Sequence, residues 1–199
     1  GMLKKLILFI LKPLSFLPAI IMMYVIFSFS AQSGMDSGNL SYTVSHKLVE
    51  VGNEVLDKNL EDWEIDEAAQ RIEYPVRKAA HMTEYFVLAV TVALPFYVYG
   101  LRGFGLVLVA GLICVGFACG DEYHQSFVEG RGPSIKDVGI DSIGVFLGIM
   151  VVRIFCWTAL APARIMERDK RRLERKVQRE KQRARQRRTG RTHGRWEEY

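Results

Sequence analysis

The 199-residue sequence predicts an all-α integral membrane protein: a four-transmembrane-helix bundle with a helical extracytoplasmic loop and a basic cytoplasmic tail. Three observations lead there. Four apolar blocks, residues 6–29, 79–99, 101–119 and 138–160, each approach the ~20 residues that cross a ~30 Å hydrocarbon core as a helix. Mean hydropathy is +0.07 although 25% of the residues are charged, so the apolar residues are segregated into blocks. That excludes an evenly patterned soluble globule and disorder over most of the chain. No segment alternates with the period of two that a barrel strand needs, and lipid admits only helices and closed barrels.

Gly1 ahead of Met2 reads as a cleavage scar, so the membrane domain is taken as residues 2–162. The first block is too long for a cleaved leader. Lys12-Pro13 suits a helix start, with the lysine snorkelling outward and proline in the first turn. Residues 33–74 form the long loop. Leu40, Val44, Leu48, Val51 and Val55 recur at helical spacing and predict one amphipathic helix. Trp63, Ile65, Ala68, Ala69 and Ile72 predict a second, stopped by Pro75. The pair is expected to lie as a cover over the bundle; a lid over a site is the sharper alternative. Cys114, Cys119 and Cys156 all fall in spans, where they serve as small packing residues rather than a disulfide framework.

Charge sets the orientation. One side of a four-span topology collects 20 of the 27 basic residues and 6 of the 22 acidic ones, a net +14; the other side has net −9. Basic segments stay cytoplasmic, so both termini are expected on the cytoplasmic side of the membrane. The tail, residues 163–199, carries 15 basic and 6 acidic residues. It is helix-compatible over 164–188 and expected to be disordered from 189. Anionic inner-leaflet lipid is its expected partner, and no nucleic acid is expected.

Polar residues within or at the ends of spans cost free energy, so their positions are informative. Arg77, His81, Glu84 and Leu88 fall on one helical stripe. Asp137, Asp141, Gly144 and Gly148 repeat that spacing, setting two carboxylates above two glycines that admit a neighbouring helix. Ser134 with Asp137 also fits a capping box, a purely structural role. The third span ends in Gly120-Asp121-Glu122-Tyr123-His124-Gln125 and the first in Phe27-Ser28-Phe29-Ser30-Ala31-Gln32-Ser33. All four sets fall at the outer face. Arg77 and Lys78 at a helix start, with Asp121 and Glu122 at a helix end, oppose the helix dipoles. Mutual pairing of Arg77 and Lys78 with Asp121, Glu122 or Asp137 is therefore expected, and such a network alone accounts for the charges.

Three functional readings stand beside that network. His81, Glu84, Glu122 and His124 offer nitrogen and oxygen ligands suited to zinc or manganese, at spacings too permissive to assign a metal. A hydrolase or transferase acting on a lipid-linked substrate would draw its acid–base group from the same four, with Arg77 or Arg131 as clamp. No nucleophile motif accompanies them. Alternatively, the pocket binds a polar ligand or lipid headgroup through Arg77, Lys78, Gln125 and Arg131. The turn Gly130-Arg131-Gly132-Pro133 would present Arg131 to an anion.

With these residues assembled, the chain resembles the VanZ-like family of bacterial membrane proteins. The carrying segments are Phe27 to Ser33, Arg77-Lys78-Ala79-Ala80-His81-Met82-Thr83-Glu84-Tyr85, and Asp121 through Arg131, continuing to Asp137 and Asp141-Ser142-Ile143-Gly144. The resemblance covers about residues 6–158. It implies a four-span envelope protein whose namesake is associated with low-level resistance to the glycopeptide teicoplanin, and it carries over no established catalytic activity. The family's polar positions map onto Arg77, Lys78, His81, Glu84, Asp121, Glu122, His124, Gln125, Arg131, Asp137 and Asp141. The expected function is binding of a lipid or cell-wall-related ligand there, with a cell-wall precursor or the glycopeptide as partner; a membrane enzyme is the alternative.

Overall fold

The computed structural model describes residues 12–132, 134–159, 166 and 169–182. Between residues 17 and 159 five helices follow in order: α1 (Leu17–Ser30), α2 (Gly34–Leu56), α3 (Asp62–Val98), α4 (Gly103–Gln125) and α5 (Ile135–Ala159). Among the described residues there is no strand. Four segments, Lys12–Ser30, α3, α4 and α5, are long and apolar enough to cross a membrane. The chain divides into two units, residues 1–153 and 154–199; within the second, residues 169–182 form an exposed helix.

Helix α1 begins with Pro18 in its first turn, where a missing N–H costs nothing. Just before it, the Tyr99 hydroxyl donates to the Lys12 carbonyl at 2.8 Å, and the Lys12 ammonium lies 5.7 Å from the Tyr99 ring centre. Phe16 and Phe96 pack edge to face at 4.9 Å. The start of the first span therefore meets the end of α3, so the two run antiparallel.

Ser33 caps α2, its hydroxyl accepting from the Asp36 N–H at 3.1 Å. The helix ends at Asp57, whose φ of 50° places it in the left-handed region, and Asn53 Oδ1 accepts from the Leu60 N–H across the turn. Glu61 and Glu64 then form a capping box that starts α3.

Helix α3 departs from the sequence expectation. Pro75 does not stop a short loop helix; one helix of 37 residues runs through it from Asp62 to Val98. A proline inside a helix removes one backbone bond and costs about 3 kcal/mol in isolation. Here α2 packs along the segment before Pro75, burying Ile65 and Ala69, and offsets that cost. The helix rises ~55 Å, against a ~30 Å hydrocarbon core.

The apolar stripe of α2 has the expected helical period; Leu48, Val51 and Val55 point away from α3, whereas Leu40 and Val44 edge a cleft beside it. Leu40, Val44, Leu48, Val51 and Val55 are 44–76% exposed, whereas Ser41 and Ser45 are buried. Burying small side chains on the packed side lets two helix backbones approach closely. The bundle follows the same rule. Ala89, Ala93, Ala110 and Ala118 are buried, while Ile20, Tyr24, Leu112 and Phe146 face outward.

Helix α5 approaches α3 through its two glycines. A Cβ at Gly144 would collide with the Met82 carbonyl; one at Gly148 would lie 2.5 Å from the Phe86 carbonyl oxygen and 2.9 Å from Ala89 Cβ. Cys114 and Cys156 are buried and pack as expected, Cys119 is exposed, and none of the three forms a disulfide among the described residues.

Candidate functional site

The end of α1, the end of α4, the start of α5 and the middle of α3 meet at one face of the bundle. Their polar side chains are held by three separate sets of contacts. In the first, the Ser30 hydroxyl donates to Asp121 Oδ2 at 2.6 Å, and the Gln125 amide donates to both Ser30 Oγ and Asp121 Oδ2 at 3.1 Å. Ser30, Asp121 and Gln125 are all buried. Arg131 extends this set: Nη1 donates to Gln125 Oε1 at 3.2 Å, Nε to the Gln32 carbonyl at 3.1 Å and Nη2 to the Phe29 carbonyl at 3.2 Å. The guanidinium thus covers the last carbonyls of α1, where a cation is favoured. Burial, and secondarily the nearby Arg77, hold the Arg131 pKa below the ordinary guanidinium value, and the group stays charged at neutral pH.

The second set joins α3 to α5. Lys78 Nζ pairs with Asp137 Oδ2 at 2.5 Å, both side chains at most a quarter exposed. Alongside, Glu122 accepts from the Ser134 backbone N–H. The third set joins α3 to α2: Arg77 pairs with Glu73 one turn away and donates from Nε to Ser41 Oγ at 3.1 Å.

Lys78 takes one of its expected partners; Arg77 does not. The dipole argument placed Arg77 at a helix start, but α3 starts fifteen residues earlier at Asp62, so no N-terminal charge opposes it. Within a continuous helix Glu73 lies at i−4 and supplies the counter-charge. Near the end of α4, Asp121 Oδ2 accepts from Ser30 and Gln125 and Glu122 from the Ser134 N–H, so neither pairs with Arg77; Asp121 Oδ1 is buried with no hydrogen-bond partner among the described residues.

His81 Nδ1 lies 3.7 Å from Glu84 Oε2 on α3, beyond hydrogen-bond length. The His124 ring stacks on Phe27 at 4.3 Å between centres. Asp141 is buried, and its Oδ1 has no hydrogen-bond partner among the described residues. His81, Glu84, Glu122 and His124 do not form a metal-ligand set: among the described residues no three His, Cys, Asp or Glu side chains are arranged to hold an ion.

A cleft of ≈ 190 Å³ opens between α2, α3 and the end of α1. Of the eleven expected site residues, Arg77, His81, Glu84 and Arg131 line it. Its remaining wall is largely apolar, from Phe29, Leu40, Val44, Val76 and Ala80. Sequence reasoning missed the α2 contribution, together with Glu73 and Ser41. The Glu73–Arg77 spacing was the available signal.

Four spans, small-residue helix contacts and a polar face closed by Arg131 define a multi-pass helical membrane protein with an amphipathic cleft at its polar end. The chain belongs to the VanZ/LLP1 family, whose model matches residues 15–156. No curated protein and no solved structure matches it.

Proposed function

We propose that this VanZ-family membrane protein binds an amphiphilic anion of the bacterial envelope, a lipid or cell-wall-precursor headgroup, in the α2–α3 cleft, and so contributes to teicoplanin resistance. The observation that carries the proposal is the division of the cleft: Arg77, His81, Glu84 and Arg131 on one side, Leu40, Val44, Val76 and Ala80 on the other. A ligand with a charged head and an apolar chain matches both walls. Arg131 donates three hydrogen bonds, which leaves two of its five N–H groups for an anion. The charge asymmetry of the sequence supports both termini lying inside the cell and the cleft facing out.

Ala80→Trp fills the cleft without touching its polar groups, and His81→Ala removes one of them. In a teicoplanin-susceptible Gram-positive host, wild-type protein should raise the inhibitory teicoplanin concentration. Native mass spectrometry of protein extracted from those membranes should show a retained anionic lipid. Both variants, with unchanged thermal unfolding, should lose both effects; retention of lipid and resistance in two stable variants overturns the cleft as the site. The proximity of His81 and Glu84 within the cleft supports a second reading, a hydrolase or transferase. Under it the host's extracted lipids change chemically with wild-type protein and stay unchanged with His81→Ala.

A further inference from the structure

The helix at residues 169–182 lies outside the residues that match the family, and the cleft makes no use of it. It holds seven basic and three acidic residues, a net +4 within 14 positions, and every described side chain in it is exposed. Arg171, Arg175 and Arg179 stand at i, i+4 and i+8, so they form one ridge, with Arg172 beside it. Leu173 and Val177 lie on the opposite face, 66% and 44% exposed. Two apolar residues are too few to insert this helix into a bilayer core. What the helix presents is a row of guanidinium groups, each a planar fork matched to phosphate.

We propose that the arginine ridge of residues 169–182 is an electrostatic docking surface for the anionic lipid headgroups of the membrane that the protein spans. The occupant follows from charge complementarity and chain length. Nine residues of sequence, ten Cα–Cα steps, separate Ala159, the last of α5, from Asp169. Even fully extended, ten such steps reach only ~35 Å, so phosphate of the same bilayer is within range. Tethering turns lipid binding into an intramolecular event at high effective concentration, whereas RNA has to be captured from solution. A helix held this way adds no anchor to the four spans. It reports the charge of the leaflet beside it.

The test uses the full chain in nanodiscs, where both membrane faces are accessible. Gln178→Cys carries an environment-sensitive dye on the arginine side, in a Cys119→Ser background because Cys114 and Cys156 are buried. The dye should shift in nanodiscs of phosphatidylcholine with phosphatidylglycerol and remain solvent-like in phosphatidylcholine alone. The shift should be reversed by high salt, a readout that needs no further variant. Replacing Arg171, Arg172, Arg175 and Arg179 by Gln should weaken association about fivefold per arginine. Equal spectra in both lipid compositions overturn the proposal. So does a larger shift on adding poly(U) RNA to the phosphatidylcholine nanodiscs than phosphatidylglycerol produces.

Discussion

Ser30 and Asp121, 91 positions apart, share a hydrogen bond of 2.6 Å between two buried side chains. It joins the ends of two helices that run in the same direction, and through Gln125 and Arg131 it reaches the loop leading to α5. In a setting poor in water, Asp121 Oδ2 accepts from both Ser30 and Gln125. Ser30→Ala should therefore lower stability by about 1–3 kcal/mol, read as thermal unfolding in detergent. A loss below a few tenths would show that the bond contributes little to holding α1 against α4.

The glycines of α5 give a paired prediction. Gly144→Ala places a methyl group against the Met82 backbone and should destabilise by about 1–3 kcal/mol. At Gly139 an added Cβ meets nothing within 4 Å, so Gly139→Ala should be neutral or stabilising by up to about 1 kcal/mol. Equal unfolding temperatures for the two variants would contradict the close α3–α5 approach.

For Lys78 and Asp137, a double-mutant cycle is the direct measurement. Lys78→Met and Asp137→Asn should each cost about 3–5 kcal/mol, since each leaves the other group half-buried without its partner. The double variant should recover part of that loss, with a coupling of about 0.5–3 kcal/mol. Strict additivity would mean that the pair does not form.

Arg131→Lys keeps the charge and removes the fork. A single ammonium cannot reproduce the three donors that reach Gln125, Gln32 and Phe29. The variant should unfold at lower temperature than wild type and lose retained anionic lipid. Full retention of both would reduce Arg131 to a point charge.

Topology is checked by labelling intact cells. Asn59→Cys, in the exposed turn between α2 and α3, should react with a membrane-impermeant maleimide in a Cys119→Ser background. Gln178→Cys should react only after the membrane is opened. The reverse pattern inverts the orientation, and with it the outward cleft.

The spans were legible because lipid-crossing length and composition are local properties, and four blocks carried both. The glycine seam was legible for the same reason: Gly144 and Gly148 stand one turn apart on one helix. Pro75 misled because its cost is local whereas the packing of α2 that offsets it is tertiary. The same error displaced Arg77. Once α3 was cut at Pro75, a helix start was inferred beside Arg77, and its pairing was sought across the bundle rather than with Glu73. The outward face of α2 was hidden for a different reason. A hydrophobic stripe reveals periodicity but not which face of the helix is packed, and here Ser41 and Ser45 occupy the packed side.

The contact of Gly144 and Gly148 with the carbonyls of Met82 and Phe86 also bears on movement. Backbones this close have no side-chain layer between them to deform, so α3 and α5 cannot slide or roll over one another without collision. Mechanically they form a single strut, pinned near its polar end by Lys78 and Asp137. Any opening of the cleft must then come from its other wall. Helix α2 forms that other wall, and it is tied down as well: Ser41 accepts from Arg77, Tyr42 donates to Asp66 at 2.8 Å, and the Gly34 N–H donates to the Glu129 carbonyl at 2.9 Å.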